Sequence, residues 1–383
     1  MKFFLYIMVV LLVTGCKEKY DPPVQSPVTG YLVVDGVINS GPGAAAITLS
    51  RTTKFENKNM EYEKGALVKL EGEDNSMYTL VEKPQGQYSI DNISLDAGKK
   101  YRLRITVTGS KVYLSDFTTV KNNPPIDSIS WKRQDDGVQL YVNTHDPLNN
   151  TRYYQWTYDE TWQIQSDFVS TLKYKITSLP GEGQQYSVVY RDSSTFSFDS
   201  TIINCWQFNS PTNLSLGSTA KESQDIVYLP IAFVPKASIK LGVLYSLHIK
   251  QTTWSKEGYE FLERMKKNTE FTGTIFDPQP SELNGNIHCV TDAGEPVIGY
   301  FNICPLQEKR IFIQSSEVPS WGYNSGCYYV LLKNISDSIK ANGGWSLLPT
   351  VVSSGNISTF LAALPECVDC TLRGTNKKPA YWP

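Results

Sequence analysis

A lone cysteine at position 16 is the first residue whose surroundings predict a chemical reaction. Lys2 precedes an apolar run over residues 3–13, and Val13-Thr14-Gly15-Cys16 fits the bacterial lipobox, in which the cysteine thiol is acylated after signal cleavage. A helix of that length spans about 16 Å, well short of the ~30 Å hydrocarbon core of a bilayer. We therefore expect residues 1–15 to be removed as a signal peptide and Cys16 to carry the lipid anchor.

The other cysteines all lie in the C-terminal half of the chain, at Cys205, Cys289, Cys304, Cys327, Cys367 and Cys370. Cys367-x-x-Cys370 has the spacing of a zinc or redox pair, but the chain has neither a second such pair nor a histidine at ligand spacing. Because an exported chain meets an oxidising compartment, we expect disulfides. Cys289 and Cys304 flank a turn at residues 292–296 and are the pair we favour; six cysteines allow 15 connectivities, so the rest stay open.

Residues for acid–base or nucleophilic catalysis are scarce. The three histidines, His145, His248 and His288, fall on separate segments, and no His-Glu-x-x-His motif occurs. The stretch 322–326 resembles a Gly-x-Ser-x-Gly elbow but has its serine one place late. We therefore expect no catalytic residue, no bound metal and no cofactor, and a hydrolase assembled from distant residues is the less favoured alternative.

Aromatic residues at Trp156, Tyr158 and Trp162 recur on one strand-like run. Such rings could stack on a peptide or a glycan, although aromatic residues at alternate strand positions more often form half of a sandwich core. The net charge of −2, with 19% charged residues and no block of like charge, argues against a nucleic-acid partner.

Short β-rich runs alternate with turns from residue 31 onward. Runs such as 31–34, 67–70 and 101–107 are separated by turn residues at intervals of about ten, a spacing typical of β-sandwiches. The stiff stretch 122–125 interrupts the pattern with two prolines. We predict a mainly β fold with two tandem immunoglobulin-like or fibronectin-like β-sandwich domains, at residues 29–122 and 125–275.

One helix stands out against this β-rich background. Ser255 can cap it, and Tyr259, Phe261 and Leu262 fall mostly on one face, which predicts one principal helix over residues 255–268. The proline-containing residues 16–28 are expected to form a tether. The cysteine- and aromatic-rich segment 276–383 is expected to pack on the second domain.

Several stretches together carry a resemblance to one family. These are Tyr31–Gly36, Leu49–Thr52, Cys205–Trp206, Asn268–Thr269, Ile275–Ser281, Gly285–Ile287, Glu295–Phe301, Lys309–Ile313 and the tail from Cys367 to Trp382. In this order they resemble the family catalogued as domain of unknown function 4249, which consists of cell-envelope lipoproteins of Bacteroidota.

The resemblance implies a location and a partner rather than a reaction. Members are typically encoded beside TonB-dependent receptors, which implies a non-enzymatic outer-membrane lipoprotein that serves such a transporter as an accessory or ligand-capture component. The expected partners are the outer membrane, reached through the lipid, a TonB-dependent receptor, and a peptide or glycan ligand. The sequence leaves open whether the protein lies on the cell surface or on the periplasmic face of the outer membrane. The alternative is a structural or adhesive envelope protein.

Overall fold

The computed structural model describes residues 30–53, 59–181, 183–191, 198–270, 283–319, 321, 323, 325–343, 348–349 and 357–383. The predicted signal peptide at residues 1–15, the tether at residues 16–28 and the lipidation site Cys16 lie outside this range. No helix among the described residues combines the length and the apolar character needed to cross a bilayer.

The first domain begins with ten strands in the described part of residues 30–119. They are β1 (Leu32–Asp35), β2 (Ile38–Asn39), β3 (Ala44–Arg51), β4 (Glu61–Tyr62), β5 (Leu67–Gly72), β6 (Met77–Lys83), β7 (Gln87–Asp91), β8 (Lys100–Thr106), β9 (Val112–Ser115) and β10 (Thr118–Thr119). Strand β6 pairs with β5 at one end and with β7 at the other. Because Leu70 of β5 shares one core with Leu49 of β3, the sheet folds over itself into a sandwich.

The second domain is a sandwich of two separate sheets. Its strands are β11 (Ile126–Gln134), β12 (Gly137–Asp146), β13 (Tyr153–Gln165), β14 (Leu172–Leu179), β15 (Gly183–Tyr190), β16 (Asn204–Asn209), β17 (Ser215–Ser218), β18 (Asp225–Pro235) and β19 (Leu244–Thr253). Strands β14 and β15 form a hairpin that is inserted between β13 and β16. One sheet has the order β11-β12-β18, and the other contains β16, β13 and β19, with β17 beside β13. Val142 of the first sheet packs in one core with Trp156 and Leu247 of the second.

The principal helix, α1 (Lys256–Glu270), follows β19 directly. The Ser255 hydroxyl accepts a hydrogen bond from the Gly258 N–H at 3.1 Å, as expected of a residue that caps a helix. Phe261 and Leu262 are buried in a small cluster with Trp254. The predictions of a mainly β fold, of tandem β-sandwiches and of one principal helix at this position are confirmed.

The C-terminal segment forms seven strands and two short helices in its described part. They are β20 (Ile287–Cys289), β21 (Val297–Gly299), β22 (Ile303–Cys304), β23 (Gln307–Gln314), β24 (Tyr329–Lys333), α2 (Ser336–Ala341), β25 (Leu348–Pro349), β26 (Thr359–Ala363) and α3 (Pro365–Val368). Short 3-10 turns occur at Ser200–Ile202, Ile239–Leu241, Ser315–Glu317 and Cys370–Leu372.

The prediction that residues 276–383 pack as one segment on the second domain is wrong. Strand β20 pairs with β9, β21 runs parallel to β1, and β22 runs parallel to β2, so residues 287–304 complete the first domain. Only then does β23 join β19 of the second domain. The physical reason is that an unpaired sheet edge accepts a strand from anywhere in the chain, and the pattern of a short strand does not show which edge it will join.

A third module, absent from our sequence-based prediction, uses parts of both halves of the chain. The hairpin β14–β15 supplies Leu172 and Val188, and the three-stranded sheet β24-β26-β25 supplies Leu332 and Phe360 to one small core. Ile339 of α2 completes that core. The module therefore connects an insertion within the second domain to the end of the chain.

Candidate functional site

Four of the six C-terminal cysteines form disulfides, which confirms the predicted cross-linking but not the favoured pair. Cys205 is bonded to Cys370 and Cys327 to Cys367, with Cα atoms 5.7 Å apart in both cases. Cys205 belongs to β16, and the backbone of its neighbour Trp206 exchanges two hydrogen bonds with Thr375. The first disulfide therefore ties the chain's end to the sheet of the second domain.

The predicted bond between Cys289 and Cys304 is wrong, since both are buried free thiols. Cys289 lies on β20, which is paired with β9, whereas Cys304 lies on β22, which is paired with β2. The two strands are thus held by different partners, and closeness in sequence does not bring the sulfur atoms together. Burial raises the pKa of the Cys304 thiol to about 11, which makes it a poor nucleophile.

The aromatic residues proposed for ligand stacking are core residues instead. Trp156 is fully buried, and its indole N–H donates to Gln251 Oε1 at 2.8 Å. Trp162 is buried as well and donates to Gln207 Oε1 at 2.6 Å, while Tyr158 packs against the same core. The prediction of a stacking platform is therefore wrong, because the alternating positions of β13 face the inside of the sandwich.

The histidines lie apart, each beside a different carboxylate. His145 Nδ1 is 2.7 Å from Asp127 Oδ2, and His288 Nε2 is 3.8 Å from Asp116 Oδ1. Burial and the nearby Arg310 lower the pKa of His248. In the part of the chain that the structure describes, no three histidine, cysteine or acidic side chains converge in a way that could hold a metal ion.

A concave site does exist between the first and second domains. It is a cleft of about 460 Å³, and its lining is mostly apolar. Ligand sites are usually concave and apolar with a few polar groups, and a volume of this order is typical of sites for small molecules. We call this space the interdomain cleft.

Two outer sheet faces form the opposite walls of the interdomain cleft. On β1, Leu32 and Val34 point into the core of the first domain, so the alternate residues Val33 and Asp35 face the cleft. On β19 of the second domain, Lys250 and Thr252 lie in the lining. Each wall is therefore the face of a sheet that its own domain does not use for its core.

Helix α1 contributes apolar side chains to the cleft. Phe261, Leu262 and Met265 line it, together with Ile298 of β21 on the side of the first domain. Tyr300 also lines the cleft, and its hydroxyl lies 3.1 Å from the hydroxyl of Ser255 at the start of the helix. Because β21 belongs to the C-terminal segment, the cleft is complete only after that segment has joined the first domain.

The acidic and basic side chains described in the lining are Asp35 and Lys250. Lys250 already has a partner, since its Nζ is 3.0 Å from Asp159 Oδ2. Asp35 forms no ion pair within the described residues. Asp35 is exposed to solvent, yet the surrounding protein partly desolvates its carboxylate and raises its pKa, an effect that a hydrogen bond from the Gly36 N–H partly offsets.

Sequence reasoning did not identify the cleft residues. The residue pattern assigned no binding role to Asp35 or to the apolar face of helix α1. A signal was nevertheless present, because two stretches that carry the family resemblance, Tyr31–Gly36 and Glu295–Phe301, supply Asp35 and Ile298 to the same lining. Asp35 and Ile298 lie in the same lining because β1 and β21, which are far apart in sequence, are paired neighbours in one sheet.

Comparisons with known proteins give a family but no activity. No curated protein matches the sequence. Among solved structures, a segment of two fibronectin type III domains from chicken tenascin is similar at 12% identity over 59% of this chain and 91% of that one, with a TM-score of 0.16. The sequence model described as "Domain of unknown function (DUF4249)" matches residues 17–310, most of the chain. The protein therefore belongs to the DUF4249 family.

Proposed function

We propose that this protein is a non-enzymatic, lipid-anchored envelope protein that captures a small ligand in the interdomain cleft for a TonB-dependent transporter in the outer membrane. Membership in a family of unknown function and a β-sandwich fold fit a cell-surface or structural protein in general. The observation that supports the more specific proposal, capture of a small ligand, is the apolar interdomain cleft of about 460 Å³.

The chemistry of the cleft favours binding over catalysis. The described lining has hydroxyl groups, such as those of Ser50 and Thr252, but no histidine beside them to act as a general base. Its one lysine is held by Asp159. A lining of this kind can bury an apolar ligand and orient it, whereas an activated nucleophile needs a neighbouring base.

The transporter partnership is tested by purification from outer membranes. The full lipidated chain would carry an affinity tag after Pro383, which is exposed. We expect a β-barrel receptor to be recovered together with it after solubilisation. The matched control is the same tagged chain with Cys16→Ala, which should recover much less receptor because it is not held at the membrane. Recovery of the lipoprotein alone would contradict the proposal.

One surface favours the second candidate, a structural or adhesive envelope protein. On the outer face of the sheet β11-β12-β18, the rings of Tyr141 and Tyr228 stack 4.6 Å apart, and Lys132 Nζ lies 5.1 Å from the Tyr228 ring. Ile226 and Phe233 of β18 are exposed nearby. If the purification recovers other envelope proteins in place of a receptor, and Tyr228→Ser abolishes that recovery, the adhesive function replaces the first proposal.

A further inference from the structure

We propose that the ligand of the interdomain cleft is a cationic amphiphile, with an apolar body against helix α1 and a positively charged amine or ammonium group beside Asp35. This inference rests on the proposed function, because it names the chemical class of ligand that the same cleft would capture.

The apolar half of the ligand follows from the lining of the cleft. Met265 of α1 and Val33 and Ile298 of the first domain are half-buried and present apolar surface to the cleft, whereas Phe261 and Leu262 line it with side chains that are already buried. Burial of apolar surface favours binding in proportion to the area removed from water. The unbranched, polarisable side chain of Met265 can adapt to ligands of different shape.

The positive charge of the ligand is inferred from the two charged side chains described in the cleft, because Lys250 has an ion-pair partner and Asp35 has none among the described residues. Lys250 is neutralised by Asp159, and that carboxylate also accepts a hydrogen bond from Ser210 Oγ at 2.7 Å. Asp35 has no corresponding cation among the described residues. A carboxylate in a partly desolvated place is stabilised by a counter-charge, and a ligand can supply one.

The alternatives of a neutral or an anionic ligand fit the cleft less well. A neutral ligand would cover Asp35 and remove water from it without replacing the lost hydration. An anionic ligand would place like charge beside Asp35, and Lys250, the basic side chain described in the lining, is already paired. A hydrogen bond to a charged group changes affinity by about tenfold to a hundredfold, which is large enough to select among ligands of equal apolar size.

The test uses three probes that share one octyl chain and differ in the charge of the head group: octylammonium, 1-octanol and octanoate. The chain from residue 17 to residue 383 is used, since it retains every described residue, lacks the lipid and the apolar run 3–13, and needs no detergent that would compete for an apolar cleft. Calorimetric titration at neutral pH should give octylammonium a Kd about tenfold or more below that of 1-octanol, and octanoate the weakest binding.

Variants then assign the preference to one carboxylate. Asp35→Asn should bring octylammonium to within about twofold of 1-octanol without weakening 1-octanol, whereas Asp35→Glu should keep the preference because it keeps the charge. Asp135→Asn is the matched control, since this exposed carboxylate lies in the turn between β11 and β12, outside the cleft lining. It should leave all three affinities unchanged. Val33→Trp should fill the cleft and weaken all three probes.

The outcomes separate this inference from the function on which it rests. Equal affinities for octylammonium and 1-octanol, or a preference that survives Asp35→Asn, would overturn the cationic ligand while capture of an apolar ligand stands. Failure of all three probes to bind would overturn both. Thermal unfolding of each variant should match that of the parent chain within a few degrees, so that lost binding is not mistaken for lost folding.

Discussion

Asn123 and Gln251 are joined by a reciprocal pair of buried hydrogen bonds. The side-chain amide of Asn123 donates to the Gln251 main-chain carbonyl at 2.7 Å, and the side-chain amide of Gln251 donates to Asn123 Oδ1 at 3.0 Å. Asn123 also donates to the Pro305 carbonyl at 2.8 Å. The segment between the two domains is thereby held against β19, the strand that forms one wall of the interdomain cleft.

Loss of the Asn123 side chain should destabilise the junction between the domains. Asn123→Ala leaves the carbonyls of Gln251 and Pro305 without this donor in a buried place, and each unsatisfied group costs about 1–3 kcal/mol. We expect about 2–4 kcal/mol of lost stability by chemical denaturation. The control is Asn213→Ala at an exposed position, which should stay within about 0.5 kcal/mol of the parent. Equal effects of the two changes would contradict the role of Asn123.

The cysteine pairing predicts the number of reactive thiols. In the Cys16→Ala chain, denatured without reductant, Cys289 and Cys304 should react and the four disulfide-bonded cysteines should not. A thiol reagent should therefore titrate two equivalents. Before denaturation both thiols should react slowly, because both are buried. Six equivalents in the denatured chain would show that the disulfides do not form.

The two disulfides should differ in their contribution to stability. Cys205 and Cys370 are 165 residues apart, whereas Cys327 and Cys367 are 40 residues apart. A disulfide stabilises the fold by removing conformational entropy from the unfolded chain, and each doubling of the closed loop increases that effect by about 0.6 kcal/mol. The longer link should therefore contribute about 1 kcal/mol more. We expect Cys205→Ser with Cys370→Ser to lower the free energy of unfolding more than Cys327→Ser with Cys367→Ser. Thermal and denaturant unfolding of the two double variants checks this order.

Glu295 should make stability depend on pH. It lies in the turn between β20 and β21, where it is 2.6 Å from the Tyr113 hydroxyl and also paired with Lys111. Burial alone would raise its pKa, but the hydrogen bonds from Lys111 and Tyr113 together lower the pKa below the ordinary value of 4.5. Its contribution is therefore complete above about pH 4.5 and is lost as the pH falls through the lowered pKa of the folded state.

Glu295→Gln should accordingly cost about 1–2 kcal/mol at pH 7 and close to nothing at low pH, where the parent carboxylate is also neutral. Denaturant unfolding of both proteins between pH 7 and pH 2.5 measures the difference. The control is Asp292→Asn, which removes a carboxylate 3.7 Å from the same Lys111 but half exposed, and should change stability by less than about 0.5 kcal/mol. A cost for Glu295→Gln that does not shrink at low pH would contradict this assignment.

Cys16 should decide whether the protein stays on a membrane. Several acyl chains on one cysteine hold a folded body at a bilayer, since each buried CH₂ contributes about 0.8 kcal/mol. We expect Cys16→Ala to move the protein from the membrane pellet to the soluble fraction. Cys289→Ala, which removes a buried thiol from the body, should leave it in the pellet. Retention of Cys16→Ala in the pellet after a salt wash would contradict lipid anchoring.

Local patterns were sufficient for the elements that depend on near neighbours. Alternation along runs such as 101–107 placed strands correctly, because one face of a sandwich strand must be buried. The capping Ser255 and the apolar face of α1 placed the helix for a similar reason. Oxidised cysteines were also predictable, since their chemistry depends on the compartment rather than on the fold.

The partners of these elements were decided only by the tertiary structure. Cys289 and Cys304 are close in sequence but lie on strands that pair with β9 and β2. Cys205, in contrast, is bonded to Cys370 near the other end of the sequence. Trp156 alternates as a ligand-stacking residue would, but its face of β13 closes a core. Asp35 faces the interdomain cleft because the faces of two sheets, β21 and helix α1 converge there. Such contacts join residues far apart along the chain, and no local pattern of residues encodes which distant surface completes a sheet edge, a core or a cleft.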